Sequence, residues 1–68
     1  MQRDPALIEA IEAVNGPAAL AAALRITSQA VSQWVRVPAE RVLDVERATG
    51  VSRHELRPDL YPREGEAA

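Results

Sequence analysis

Thr27, Ser28, Gln29, Ser32, Gln33 and Arg36 bring hydroxyl, amide and guanidinium groups together in one short segment, and no acidic residue falls between Arg25 and Val37. Most of these positions recur at three- and four-residue intervals, so a helix over the segment would align them along one face. These are the groups that read base edges in the major groove of duplex DNA. Gln pairs bidentately with adenine N6/N7, Arg with guanine O6/N7 and Ser with several edges, and each good bidentate pair discriminates by roughly 1 to 3 kcal/mol. The plainer alternative is a merely soluble polar face. Such a face ordinarily carries Glu and Lys, and acids would be repelled by phosphates, so the composition favours base contact. Arg36 also has a plainer role open to it, as a cation at a helix C-terminus favoured by the macrodipole.

Other chemistries are poorly served. His54 is the single His and Cys is absent, so neither a thiolate site nor a His-rich metal sphere can be built. Carboxylates alone would give an exposed, weak metal site. Ser52 and His54 offer a nominal nucleophile and base, but 68 residues leave little room for a closed, water-excluding pocket around them. Gly16, Gly50 and Gly65 lie far apart, which rules out a glycine-rich phosphate loop. The expectation is a binding module and not an enzyme, with no cofactor and no metal.

The elements that must position the polar face are helices, because apolar residues recur at helical spacing and nothing alternates with period two over a strand length. Asp4 and Pro5 open a first helix as N-cap and first-turn residue, and Leu7, Ile8, Ile11 and Val14 are expected on its inner face before Asn15-Gly16 ends it. Pro17 begins a second, with Leu20 and Leu24 inward and alanines that allow close helix crossing. Thr27 caps a third, expected to run from Ser28 to about Val35. Ile26 and Val31 form its hydrophobic staple, and Ala30, Val31 and Trp34 its buried stripe. Pro38 opens a fourth, with Ala39, Val42, Leu43 and Val45 inward and Gly50 past its end. Ser52 to Glu55 has capping-box spacing for a single turn from about Arg53 to Leu56, stopped by Pro58. Leu56, Leu60 and Tyr61 are expected to close the core, the alternative being part of a dimer surface. The fold class is therefore all-α, with one domain over residues 1–62 and a flexible acidic tail over 63–68.

Length and charge set the bounds of this reading. A chain of 68 residues is one small domain that buries only roughly 60% of its unfolded surface, so self-association is a reasonable route to stability. No apolar run reaches the roughly 18 residues of a membrane span, and the first ten residues carry Arg3, Asp4 and Glu9 in place of a signal-peptide core, so a cytoplasmic location and no membrane partner are expected. Eight Arg and no Lys against ten acids give a net charge of −2, whereas DNA-binding domains often have a pI above 9. The distribution is more permissive. Arg25 to Arg57 holds six Arg against Glu40, Asp44, Glu46 and Glu55, while acid prevails in both flanks.

The run Gly16-Pro-Ala-Ala-Leu-Ala-Ala-Ala-Leu-Arg-Ile-Thr-Ser-Gln-Ala-Val-Ser-Gln-Trp34, continued by Val37-Pro-Ala-Glu-Arg-Val-Leu-Asp-Val-Glu-Arg-Ala-Thr-Gly50 and Arg53-His-Glu-Leu-Arg-Pro-Asp-Leu-Tyr-Pro62, resembles the Cro/CI-type helix-turn-helix family. Within it the chain is most similar to the YdaS antitoxin-like and Cro-like phage and prophage repressor group, over about residues 5 to 62. The resemblance implies a small five-helix, lambda repressor-like domain acting as a transcriptional regulator, commonly dimeric on a near-palindromic operator. By position it assigns Thr27, Ser28, Gln29, Ser32, Gln33 and Arg36 to the DNA-facing surface. It places Leu24, Ile26 and Val31 in the core, and a phosphate at the start of the second helix, around Pro17 and Ala18. Two positions depart from the family pattern. Arg25 stands where Gly usually takes a left-handed turn, and Val35 where many relatives carry a basic residue.

The reading that follows is a sequence-specific double-stranded DNA-binding regulator, a Cro-like repressor in the nucleoid, acting as a homodimer. The alternative is an antitoxin-type interaction module whose main partner is a toxin protein, contacted through the acidic flanks and Leu60-Tyr61.

Overall fold

The computed structural model describes residues 3 to 62, and the proposed tail over 63–68 lies outside them. Five α-helices follow one another: α1 (Pro5–Ala13), α2 (Pro17–Leu24), α3 (Ser28–Gln33), α4 (Val42–Thr49) and α5 (Arg53–Leu56), with a 3₁₀ turn over Ala39–Arg41 leading into α4. No strand occurs among the described residues.

Side-chain caps set the starts of α1, α3 and α5, whereas α2 and α4 have none. The Asp4 carboxylate accepts the Ala6 N–H at 3.1 Å, the Thr27 hydroxyl accepts that of Ala30 at 3.1 Å, and the Ser52 hydroxyl accepts that of His54 at 3.1 Å. The capping-box pattern pointed to the amide of Glu55 for Ser52, one residue further on. The α5 start is held in addition by Glu46 of α4, which accepts the Arg53 amide at 2.8 Å.

The ends of α1 and α2 use the same device. The Gly16 N–H reaches back to the Ile11 carbonyl at 2.9 Å and that of Asn15 to Glu12 at 3.1 Å. The Ile26 N–H reaches the Ala21 carbonyl at 2.9 Å and that of Arg25 reaches Ala22 at 3.2 Å. Both are Schellman closures, which need a left-handed residue. Asn15 (φ 69°) and Arg25 (φ 60°, ψ 40°) supply it without being glycine.

Leu7, Leu20, Val31, Val37, Val42, Val45 and Leu56 are fully buried and make one core, against which Val14, Ile26, Trp34, Ala48 and Tyr61 pack. Three residues expected on inner helix faces lie elsewhere: Ile8 is 43% and Leu43 41% exposed, and Ala39 is exposed as well. Ile8 and Leu43 each follow a buried residue, Leu7 and Val42, and a step of one along a helix turns the side chain about 100° away from the core. Leu56 and Tyr61 close the core as expected, whereas Leu60 is exposed.

α2 packs on α3 and α4, α1 closes over α2 and α4, and α5 sits against α4 and α1. α1 and α2 meet at 83°. Among the described residues no single helix is long and apolar enough to cross a membrane.

Candidate nucleic-acid interface

α3 is shorter than the sequence suggests. It ends at Gln33, and Trp34 turns extended (φ −71°, ψ 135°) so that its ring packs on the core. Two bonds from the N-terminal segment take up carbonyls at this exit. The Asp4 N–H donates to the Val35 carbonyl at 2.8 Å, and the Arg3 guanidinium donates to the carbonyl of Ser32. The Val35 carbonyl thus has a non-helical partner, Val37 is drawn into the core, and Pro38 disfavours helix in the residue before it.

Ser28, Gln29, Ser32 and Gln33 form one exposed band along this helix, opposite the fully buried Val31. Their side chains make no bond to another described residue, so two amides and two hydroxyls keep their full donor and acceptor capacity. Thr27 borders the band at the N-terminus, with its hydroxyl already engaged as the cap of Ala30.

Arg36 does not extend the helical band. It lies in the extended segment after α3, and its Nη2 is 3.2 Å from Oδ1 of Asp59. The same carboxylate is gripped by Arg57, with Nε and Nη2 at 3.0 and 2.8 Å from its two oxygens. These bonds, Arg57 foremost, pull the Asp59 carboxyl down to about 2. Asp59 in turn raises the Arg57 guanidinium above its usual value. The acid-free segment along the chain is therefore not acid-free in space.

At the start of α2, Pro17 and Ala18 are exposed and no side chain caps the helix. Pro17 has no N–H to give, so it presets the backbone angle and leaves Ala18 and Ala19 as the donors an anion would meet.

Arg3 and Asp59 were missed as neighbours of this surface. Arg3 lies 29 residues from Ser32 and Asp59 lies 23 from Arg36, and no local spacing rule connects positions so far apart. Away from this surface, Arg47 pairs with Asp44 at 3.8 Å and Arg53 with Glu46 at 2.9 Å.

Five short helices, a tight α2–α3 turn and a polar α3 face define a Cro-like helix-turn-helix domain. The chain belongs to the family described as bacterial toxin YdaS, whose profile it matches over residues 7–64. It is also similar to the Cro protein from the prophage element Xfaso 1 in Xylella fastidiosa strain Ann-1. The two share 43% identity at a TM-score of 0.80, over 85% of this chain and 97% of that one. No curated protein sequence matches it.

Proposed function

We propose that the protein is a sequence-specific double-stranded DNA-binding transcriptional regulator, a Cro-like repressor that lays α3 in the major groove of an operator and blocks polymerase. The observation that carries this reading is the exposed band of Ser28, Gln29, Ser32 and Gln33, held on a helix that the α2 turn and the buried Val31 keep in place. The structural similarity to a Cro protein supports the same function. In this reading Gln29 and Gln33 contact base edges, Thr27, Ser28, Ser32 and Arg36 contact edges or phosphates, and the α2 start at Ala18 takes one phosphate. The protein works in the cytoplasm at the nucleoid, as a homodimer, without a cofactor and without catalytic activity. Duplex-binding assays with Gln33→Ala test it. The variant should lose discrimination at one base pair while keeping its affinity for random duplex. Equal weakening on every sequence would overturn base readout at this position.

The description of its family as a bacterial toxin favours one other reading, a module of a toxin–antitoxin type whose main partner is a protein. Salt separates the two. DNA affinity should fall steeply between about 50 and 200 mM salt, with a log–log slope near −0.9 per phosphate contacted, whereas a protein-binding module would show no tight duplex binding even at low salt.

A further inference from the structure

The cation that follows the reading helix is already occupied, and by a group that resembles a DNA phosphate in charge and in oxygen geometry. Arg36 and Arg57 converge on the carboxylate of Asp59, but their grips differ. Arg57 holds both oxygens, and its Nη1 donates to the Val37 carbonyl at 3.0 Å. Its side chain is only 15% exposed, so it serves as a fixed mount. Arg36 touches one oxygen through one nitrogen at 3.2 Å, in a pair whose side chains are both 46% exposed. Of the five N–H donors of its guanidinium, the single contact to Asp59 commits one. A monodentate, exposed contact of this kind contributes little and is readily exchanged.

We infer that Asp59 is an intramolecular stand-in for a DNA phosphate: clamped by Arg57 beside the α3 exit, it occupies Arg36 in the free protein, and a duplex backbone must displace it to engage that arginine. The inference rests on the DNA-binding reading above. Asp59 remains ionised throughout the physiological range, so the competition is always present. Its effect is uniform across sequences, because phosphates carry no sequence information. It lowers attachment to every duplex and leaves the Ser/Gln band to decide which site is occupied at a given protein concentration. In a chain with a net charge of −2, this damping sits on the segment where the positive charge is concentrated.

The test is a set of duplex titrations with wild type, Asp59→Asn, Arg36→Ala and the double variant, on a random duplex and on a selected one. Asp59→Asn should bind both duplexes tighter by the same factor, roughly two- to fivefold, the range set by an exposed ion pair. Its log–log salt slope should steepen by up to about 0.9, the contribution of one phosphate contact. Arg36→Ala should erase the gain, so that the double variant binds like Arg36→Ala alone. Unchanged or weaker binding by Asp59→Asn, or a gain that survives removal of Arg36, would overturn the inference. Wild type that binds no duplex at low salt would instead overturn the proposed function. Should Asp59→Asn fail to fold, the carboxyl carbon signal of Asp59 in the wild type provides the readout. It should shift on adding duplex in wild type and stay in place in Arg36→Ala, and a signal that does not move in wild type refutes the exchange.

Discussion

At the residue scale, Arg36 and Glu46 take partners from outside their own segments. The Ser/Gln band could be read because its members lie within one helical repeat of each other and because acids are missing from the segment. By spacing Arg36 belongs with them, yet its partner is Asp59, brought alongside by the docking of α5 and the chain beyond it. Glu46 is a similar case. It joins α4 to the start of α5 through the Arg53 amide and guanidinium, and chiefly that amide bond holds its carboxyl below the usual value of 4.5. These carboxylates make a testable link between pH and stability. A carboxylate whose native pKa lies below its unfolded one contributes stability above the unfolded value, and that contribution is lost as the pH falls through the native value. For Asp59 the window runs from 3.8 down to about 2. Urea midpoints of wild type and Asp59→Asn should differ at pH 6 and converge as the pH is lowered through that window. A gap that stays constant down to the acid limit would mean the carboxylate is not held by Arg57 and Arg36 in solution.

At the element scale, the starts of α1, α3 and α5 were read closely, because Asp4, Thr27 and Ser52 announce themselves by type and position, whereas Pro38 opens only a 3₁₀ turn and α4 itself begins at Val42. Helix faces and helix ends were read less well. Ile8 and Leu43 are apolar, but a face is chosen by its neighbours, and the three-and-four spacing through Leu7, Ala10, Ile11 and Val14 leaves Ile8 outside it. Truncation should reveal the difference. Leu7→Ala should cost about 2 to 5 kcal/mol, as expected for a fully buried leucine, and Ile8→Ala well under half of that. Comparable losses by chemical denaturation would contradict the assigned face. The end of α3 could not be foreseen, since the groups that bond its exit come from Arg3 and Asp4. The end of α2 could be foreseen, because Arg25 stands where the family pattern has Gly, and the residue does adopt the left-handed conformation (φ 60°). An L-residue with a Cβ is strained there by roughly 1 kcal/mol. Arg25→Gly relieves the strain and in return loosens the unfolded chain, which leaves a net gain of several tenths of a kcal/mol and a rise in Tm of a few degrees. A fall in Tm would show that the Arg25 side chain contributes more to the fold than its backbone costs.

At the scale of the whole molecule, size and charge act together. Sixty-eight residues make one core of leucines and valines with no buried polar group among the described residues, and one copy of α3. The described part of the chain measures 37 × 26 × 19 Å. Successive major-groove faces on one side of a duplex lie about 34 to 36 Å apart, so a single copy spans that distance at most once along its longest axis and has only one helix to place in a groove. On the proposed function, the net charge of −2 and the inferred Asp59 competition would both weaken general attraction to phosphate, so specific contacts would have to carry most of the occupancy. A few base pairs read by one short helix cannot supply that discrimination, whereas a second copy doubles the number read. Selection of bound sequences from a random duplex pool should therefore return a near-palindrome with half-site centres about 10 base pairs apart. Sedimentation of the complex should give two chains per selected duplex, and a duplex carrying one half-site should bind far more weakly. Recovery of a single short non-palindromic site, bound by one chain with undiminished affinity, would show that the domain reads DNA as a monomer and that its small size is met by some other partner.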